Sequence, residues 1–421
     1  MNKIIPVLCF ILSVLSFSQP KYSQKNEGDN PFPKLIYTKT LIYPGDSLST
    51  IYFFYKVPYQ NLVFLKNGGS YYGELRIDIE VTDSNSIFVK REIKDWKLNA
   101  VSYDQANSSE FFSEGFVSLN LPAGVYFIQP IITDQNSKRE FKLIGERLEI
   151  KKIINFEPVI VSSKKFACED EEFYKLTNFE GNVLFNSDKQ SIIIPVRDNT
   201  LNEINVTILS RGDTIGSEAL NKSFISSIGF KECSGKILIN DSNDISTKNF
   251  ILDDITGKLK EGPFTLIIND DEENKFHSIV FWYNKPHSLF FPEVAISALK
   301  HIEKETVIDS LLDLDDDLQY DGLVDYWKRM DPSPGTEYNE LMNEFYTRVD
   351  YAQDNFTSLT GIKGIETDRG KIFIKFGKPD QVERSSNEKG KIIETWIYNN
   401  PQRKFIFVDK QGVGEFSLES S

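Results

Sequence analysis

The spacing of apolar residues changes once along this chain, and that change limits what each part can become. Before about residue 288 the period is two. In the clearest run, Leu75, Ile77, Ile79 and Val81 alternate with Arg76, Asp78 and Glu80. Such alternation gives a strand one apolar and one charged face, as in a half-buried antiparallel sheet. Thr82-Asp83-Ser84-Asn85 follows as turn chemistry. The same reading predicts strands at 35–43, 49–55, 116–121, 125–133 and 143–150. A second β block runs from about 156 to 283, where Ile204, Val206 and Ile208 alternate with Asn205 and Thr207. Residues 192–194 and 237–239 add further strand there. The blocks share a phrase: LPAGVYFI from Leu121 and LKEGPFTL from Leu259. Gly124 and Gly262 would permit a turn into a late strand, with Tyr126 and Phe264 packing inward. Short strands between turn signals predict two tandem all-β, immunoglobulin-like sandwiches at 31–153 and 154–288.

From Pro292 the period becomes helical. Val294, Ala295, Ala298, Leu299 and Ile302 recur at three and four. A second helix follows Pro332-Ser333-Pro334-Gly335, with Thr336 as N-cap and Tyr338, Leu341, Met342, Phe345 and Val349 on one face. After Gly361 strand spacing returns at Ile372, Ile374 and Phe376, then at 393–398 and 405–408. Residues 289–421 are therefore expected to form an α+β domain, helices packed on a small antiparallel meander.

The N-terminus carries an address. Lys3 precedes a nearly unbroken apolar run from Ile4 to Phe17, and Ser16 and Ser18 are small residues before Gln19. That order predicts a signal peptide at 1–18, cut after Ser18. The run is shorter than the roughly 20 residues a spanning helix needs. Leu8 is too large for a lipidation signal at Cys9. No later stretch approaches spanning length, so the mature chain is expected to be extracytoplasmic and to lack a transmembrane span. It would then be periplasmic, secreted or associated with the outer membrane. Cys168 and Cys233 would remain in an oxidising compartment, as a disulfide or as two unrelated buried thiols. The formal net charge of −14 becomes −15 when Lys3 leaves, and no basic cluster interrupts it. That balance excludes nucleic acid as an expected partner.

Catalytic signatures are missing from the sequence. The chain has three histidines, His277, His287 and His301, and no HExxH, CxxC, G-x-S-x-G or phosphate-binding glycine loop. No catalytic residue, metal ligand or cofactor is assigned. Asp313, Asp315 and Asp317 begin like a calcium loop. Leu318 stands where such a loop needs glycine, however, and Val324 where it needs glutamate. A solvated acidic connection between helices is expected instead. Asp270-Asp271-Glu272-Glu273 is expected at an exposed hairpin tip.

The C-terminal third is more specific. Trp327 precedes Asp331-Pro332, Pro334-Gly335-Thr336 and Asn339-Glu340. Phe345-Tyr346 and Arg348-Val349 follow, then Gly364 and Thr367-Asp368-Arg369-Gly370. Gly377, Pro379-Asp380, Trp396 and Tyr398 complete the series. This order resembles the GWxTD domain of exported proteins in Bacteroidota-type and related Gram-negative bacteria. The tryptophan of the family's name is Ile365 here, which keeps an apolar body and loses an N–H donor. The resemblance implies a domain and an envelope setting, with no established activity.

Two roles suit Thr367-Asp368-Arg369-Gly370. One is a tight turn into a strand at Ile372, with Asp368 bonding backbone N–H groups. The other is a partner-binding surface made by Thr367, Asp368 and Arg369, the arginine donating to a carboxylate. The functional expectation is a non-enzymatic cell-envelope binding or assembly protein that contacts another envelope protein. The alternative is a carboxylate-dependent hydrolase of envelope peptide or glycan, drawing on Glu340, Glu344, Asp368 and Asp380. Spacing selects no pair among them. A deep cleft holding two of these acids would favour the hydrolase.

Overall fold

The structure, a computed structural model, describes residues 36–420 except 46, 109–110, 152–155, 178–181, 242–244, 272–273 and 388–389. The expected signal peptide, its cut after Ser18 and Cys9 lie outside the described residues. So does half of the acidic tip at 270–273.

Strands Tyr37–Tyr43, Ser49–Pro58 and Phe112–Leu121 form a three-stranded antiparallel sheet. A six-stranded sheet faces it, centred on Ser70–Asp83, which pairs with Phe88–Ala100 and Gly124–Asp134. A single helical turn, α1 (Tyr103–Ala106), lies between strands of the two sheets. The alternation in 75–81 acts as its spacing predicts. Leu75, Ile77, Ile79 and Val81 are fully buried against Ile51, Phe53, Tyr55 and Val57 of the facing sheet. On the charged face, Arg76 donates to Asp95 through Nε and Nη2.

The three-stranded sheet buries its second face as well. Tyr43, Tyr52, Phe54 and Phe116 pack against Phe156, Val159 and Phe230 of the following β region. This explains the unbroken run Ile51-Tyr52-Phe53-Phe54-Tyr55. A strand covered on both faces has no side to make polar.

The second β region sets a four-stranded sheet containing Gln190–Val196 and Thr247–Leu252 against a five-stranded one containing Ile204–Ser210, Gly262–Ile268 and Lys275–Phe281. Ile192, Ile194, Val206, Phe250, Phe264 and Leu266 fill the space between them. The pairings among its described strands are antiparallel except Val183–Leu184 with Lys275–Phe281. Gly124 and Gly262 each open a strand, and Tyr126 and Phe264 are buried. Two small hairpins, Phe166–Cys168 with Glu171–Phe173 and Gly229–Cys233 with Lys236–Asn240, are joined by a Cys168–Cys233 disulfide with Cα atoms 6.3 Å apart.

Helices follow: α2 (Pro292–Ala298), α3 (Glu305–Leu312), α4 (Asp316–Lys328), α5 (Glu340–Phe356) and α6 (Asp368–Phe376). The strands Gln381–Ser386, Ile392–Asn399, Gln402–Asp409 and Phe416–Ser420 then form an antiparallel meander. The acidic run begins α4: Asp316 and Asp317 occupy its first turn, where carboxylates meet the positive end of the helix dipole. The cap of α5 is Asn339, not Thr336. Asn339 Oδ1 accepts from Met342 N at 2.8 Å, while its Nδ2 donates to Trp327 O at 2.9 Å. Thr336 is turned instead toward Ser333 O. No helix among the described residues is long and apolar enough to cross a membrane.

Residues 372–376 are the main departure from the sequence reading. They form helix α6, not a strand. Ile374 faces the helical core around Trp327 and Phe345, whereas Phe373, Ile372 and Phe376 pack on Trp396 and Phe405 of the meander. Asp368, Lys371 and Lys375 give this short helix a narrow polar side, and the rest of it is covered from two directions. Three apolar residues at alternate positions then imitate a strand.

Candidate functional site

The segment 364–370 lies at the seam between the helices and the meander. After α5 the chain turns through Gly361, at φ +89°, into a 3-10 turn at Gly364–Glu366 and then into α6. Thr367 caps α6. Its hydroxyl donates to Gly364 O at 2.8 Å and accepts from Gly370 N at 3.1 Å. The two glycines are dictated by close contact. A Cβ on Gly364 would stand 2.0 Å from Ala352 O, and one on Gly370 would stand 1.9 Å from Gly364 O. Ile365 packs against the helical core.

The tight turn into a strand is thus replaced by a capped helix start. Asp368 bonds a backbone N–H across the seam: its Oδ2 accepts from Leu418 N at 2.9 Å. Arg369 turns inward, with its side chain only 14% exposed. Its guanidinium lies 3.5 Å from Glu394 and 4.2 Å from the centre of the Phe416 ring. Burial lowers its pKa, against the pull of Glu394. Glu394 is itself buried and also accepts from Trp396 Nε1 and Arg384 Nε, both at 2.8 Å. The Trp396 indole is therefore anchored at both its ring and its N–H.

Asp409 orders the opposite wall. Its carboxylate takes backbone N–H bonds from Gln411, Gly412, Val413 and Gly414. Burial pushes its pKa up, and those four donors outweigh that to leave it below the ordinary range. The loop so fixed brings Gly414 O to 3.5 Å from Arg369. A pocket of about 130 Å³ opens between these pieces, walled by Phe356, Ile362, Asp368, Arg369 and Phe416. The loop that supplies Ile362 also carries Leu359, which is 89% exposed.

The four candidate acids do not converge. Glu340 accepts from Ser333 Oγ, Glu344 pairs with Arg348, and Asp380 accepts from Asn399 N. None of these three lines the pocket with Asp368. No group of three or more potential metal-ligating side chains occurs among the described residues.

Sequence reasoning missed a second cavity. A cleft of about 220 Å³ separates the second β region from the helices, walled by Phe185, Trp282, Tyr320, Arg211, Glu261 and Asp321. Lys285 braces its base, bonding Glu261 at 2.8 Å beneath the Tyr320 ring at 4.5 Å. Residues this far apart in the chain leave no local signal.

A mostly β N-terminal region, followed by helices and a four-stranded antiparallel meander, defines the architecture, and a glycine-dictated corner marks the seam. Residues 264–419 match the GWxTD domain, and the chain carries that domain. The match starts at Phe264, so it takes in the last two strands of the second β region. No curated protein matches the chain. Among solved structures, a calcium binding mutant of Bacteroides uniformis beta-glucuronidase 2 is similar over 37% of this chain at 8% identity. The similarity spans only 16% of that protein, at a TM-score of 0.18, too slight to carry an argument.

Proposed function

We propose that this protein is a non-enzymatic binding or assembly protein of the cell envelope, held outside the cytoplasm. Its two β regions are read as tandem immunoglobulin-like sandwiches that carry the GWxTD domain. Another envelope protein docks on that domain at the corner of Thr367, Asp368 and Arg369. The supporting observation is the pocket there, beside an almost fully exposed Leu359. The polar groups of the corner are engaged inward with Gly364, Leu418 and Glu394, which suits a rigid wall better than a reacting centre. An exposed leucine next to a preformed pocket suits a protein contact, in which a few buried apolar anchors carry most of the affinity.

The test is a photocrosslinking residue at Leu359 in intact cells, with captured partners identified by mass spectrometry. One envelope protein should dominate, and Leu359→Asp should weaken its co-purification at least tenfold. Absence of any crosslink, or co-purification untouched by Leu359→Asp, overturns the assignment.

A further inference from the structure

The hairpin of Gly229–Cys233 and Lys236–Asn240 stands apart from both larger sheets of its region. Two strands alone are marginally stable. Backbone bonds from Leu176 N to Ile237 O and from Ile239 N to Tyr174 O tie it to its own region, each 2.8 Å long. Ile237 and Ile239 also pack against Val159, Val161, Leu176 and Ile193 of that region, and a covalent tie runs from Cys233 to Cys168.

The same hairpin grips the first β region. The Phe230 ring lies 4.8 Å from that of Phe54, 4.9 Å from Tyr52 and 5.8 Å from Tyr43. Two residues on, and so on the same side of the strand, Glu232 accepts three bonds. They come from Lys94 Nζ at 2.9 Å, Trp96 Nε1 at 3.1 Å and Phe116 N at 3.2 Å. The last caps the open edge of the three-stranded sheet. Cys233 alternates to the opposite side of the strand from Glu232.

We propose that Cys168–Cys233 is a redox-sensitive clamp on the junction between the two β regions. Closed, it holds the hairpin from behind, so Phe230 and Glu232 meet the first region from a fixed platform. A dithiol opens it by exchange. Its thiolate attacks the half-buried Cys233 sulfur, and the Cys168 sulfur leaves as thiolate. The second thiol then closes the reductant's own disulfide and frees Cys233. Two electrons pass, leaving two cysteine thiols and one oxidised dithiol. The freed hairpin keeps its backbone bonds and the apolar contacts of Ile237 and Ile239 but loses its covalent anchor, and the junction loosens while the sheets on either side stay folded.

Hydrogen exchange on the full protein, read amide by amide, tests this with and without dithiothreitol. Reduction should speed exchange at least tenfold across 229–240 and at the Phe116 amide, and leave 190–196 and 204–210 unchanged. The Cys168→Ser/Cys233→Ser double variant should match the reduced protein. Glu232→Gln in the oxidised protein should open Phe116 while the hairpin stays protected. Equal exchange in both redox states overturns the proposal. So does acceleration of every strand alike, which would make the bond a general staple rather than a clamp.

Discussion

Gly364 lies so close to the carbonyl of Ala352 that a methyl group on it would sit 2.0 Å from that oxygen. The next glycine, Gly370, stands in the same relation to Gly364 O. Both contacts are with backbone, which cannot swing aside. Gly364→Ala and Gly370→Ala should each cost about 3 kcal/mol in chemical denaturation, at the upper end for overpacking. Gly335→Ala, with open space around its Cα, should stay within about 0.5 kcal/mol of the parent.

Arg369 and Glu394 form a buried pair with a backup, since Arg384 and Trp396 also bond the carboxylate. Arg369→Ala should lower stability by about 2 kcal/mol, less than the 3–5 usual for breaking a buried pair. Glu394→Gln should cost more, because it strips the charge partner from both arginines. A melting temperature untouched by Arg369→Ala would mean that the arginine braces nothing.

His301 is buried with Nε2 unpartnered, and its pKa is lowered to about 4 by burial and by Lys300. Glu366 pulls it up, while Lys371 and Lys375 add to the fall. Between about pH 6.5 and 4 the unfolded chain binds a proton here that the folded one refuses. Stability therefore rises with pH across that window, complete above 6.5 and lost toward 4. His301→Gln should flatten this part of the stability profile, measured by urea midpoints at pH 4.5 and 7.5.

Trp396 is buried among Phe356, Phe373 and Phe407. Trp396→Ala should cost about 3–5 kcal/mol through the cavity it leaves. Trp396→Phe should recover part of that, but not the Glu394 bond.

Processing is checked separately. Protein from the envelope fraction should begin at Gln19 on N-terminal sequencing. Its intact mass should rise on reduction and alkylation by the increment for Cys168 and Cys233 together.

Legibility in the sequence followed how local each signal was. Leu75 to Val81 alternate on a sheet with one covered face, and there the period alone suffices. The period misleads at Ile372 to Phe376, where a nine-residue helix between two cores shows only a narrow polar side of Asp368, Lys371 and Lys375. The cap that starts it, Thr367 Oγ1 accepting from Gly370 N, uses the same threonine and glycine that a turn into a strand would use. The inward course of Arg369 depends on Glu394 and Phe416, and no spacing rule brings those three together. Residues 49–55 are readable as strand, which the structure extends to Pro58. Its unbroken aromatics also held the news that two cores share it.

That shared sheet sets a waiting time during synthesis. Tyr52, Phe54 and Phe116 emerge first, whereas Phe230, which covers them, comes 114 residues after Phe116. At roughly 5–20 residues per second the wall lacks its Phe230 cover for about 6–23 s in every nascent chain. A ribosome stalled after Ile150 and before Phe230 would release a fragment with a complete first core and an adhesive outer face.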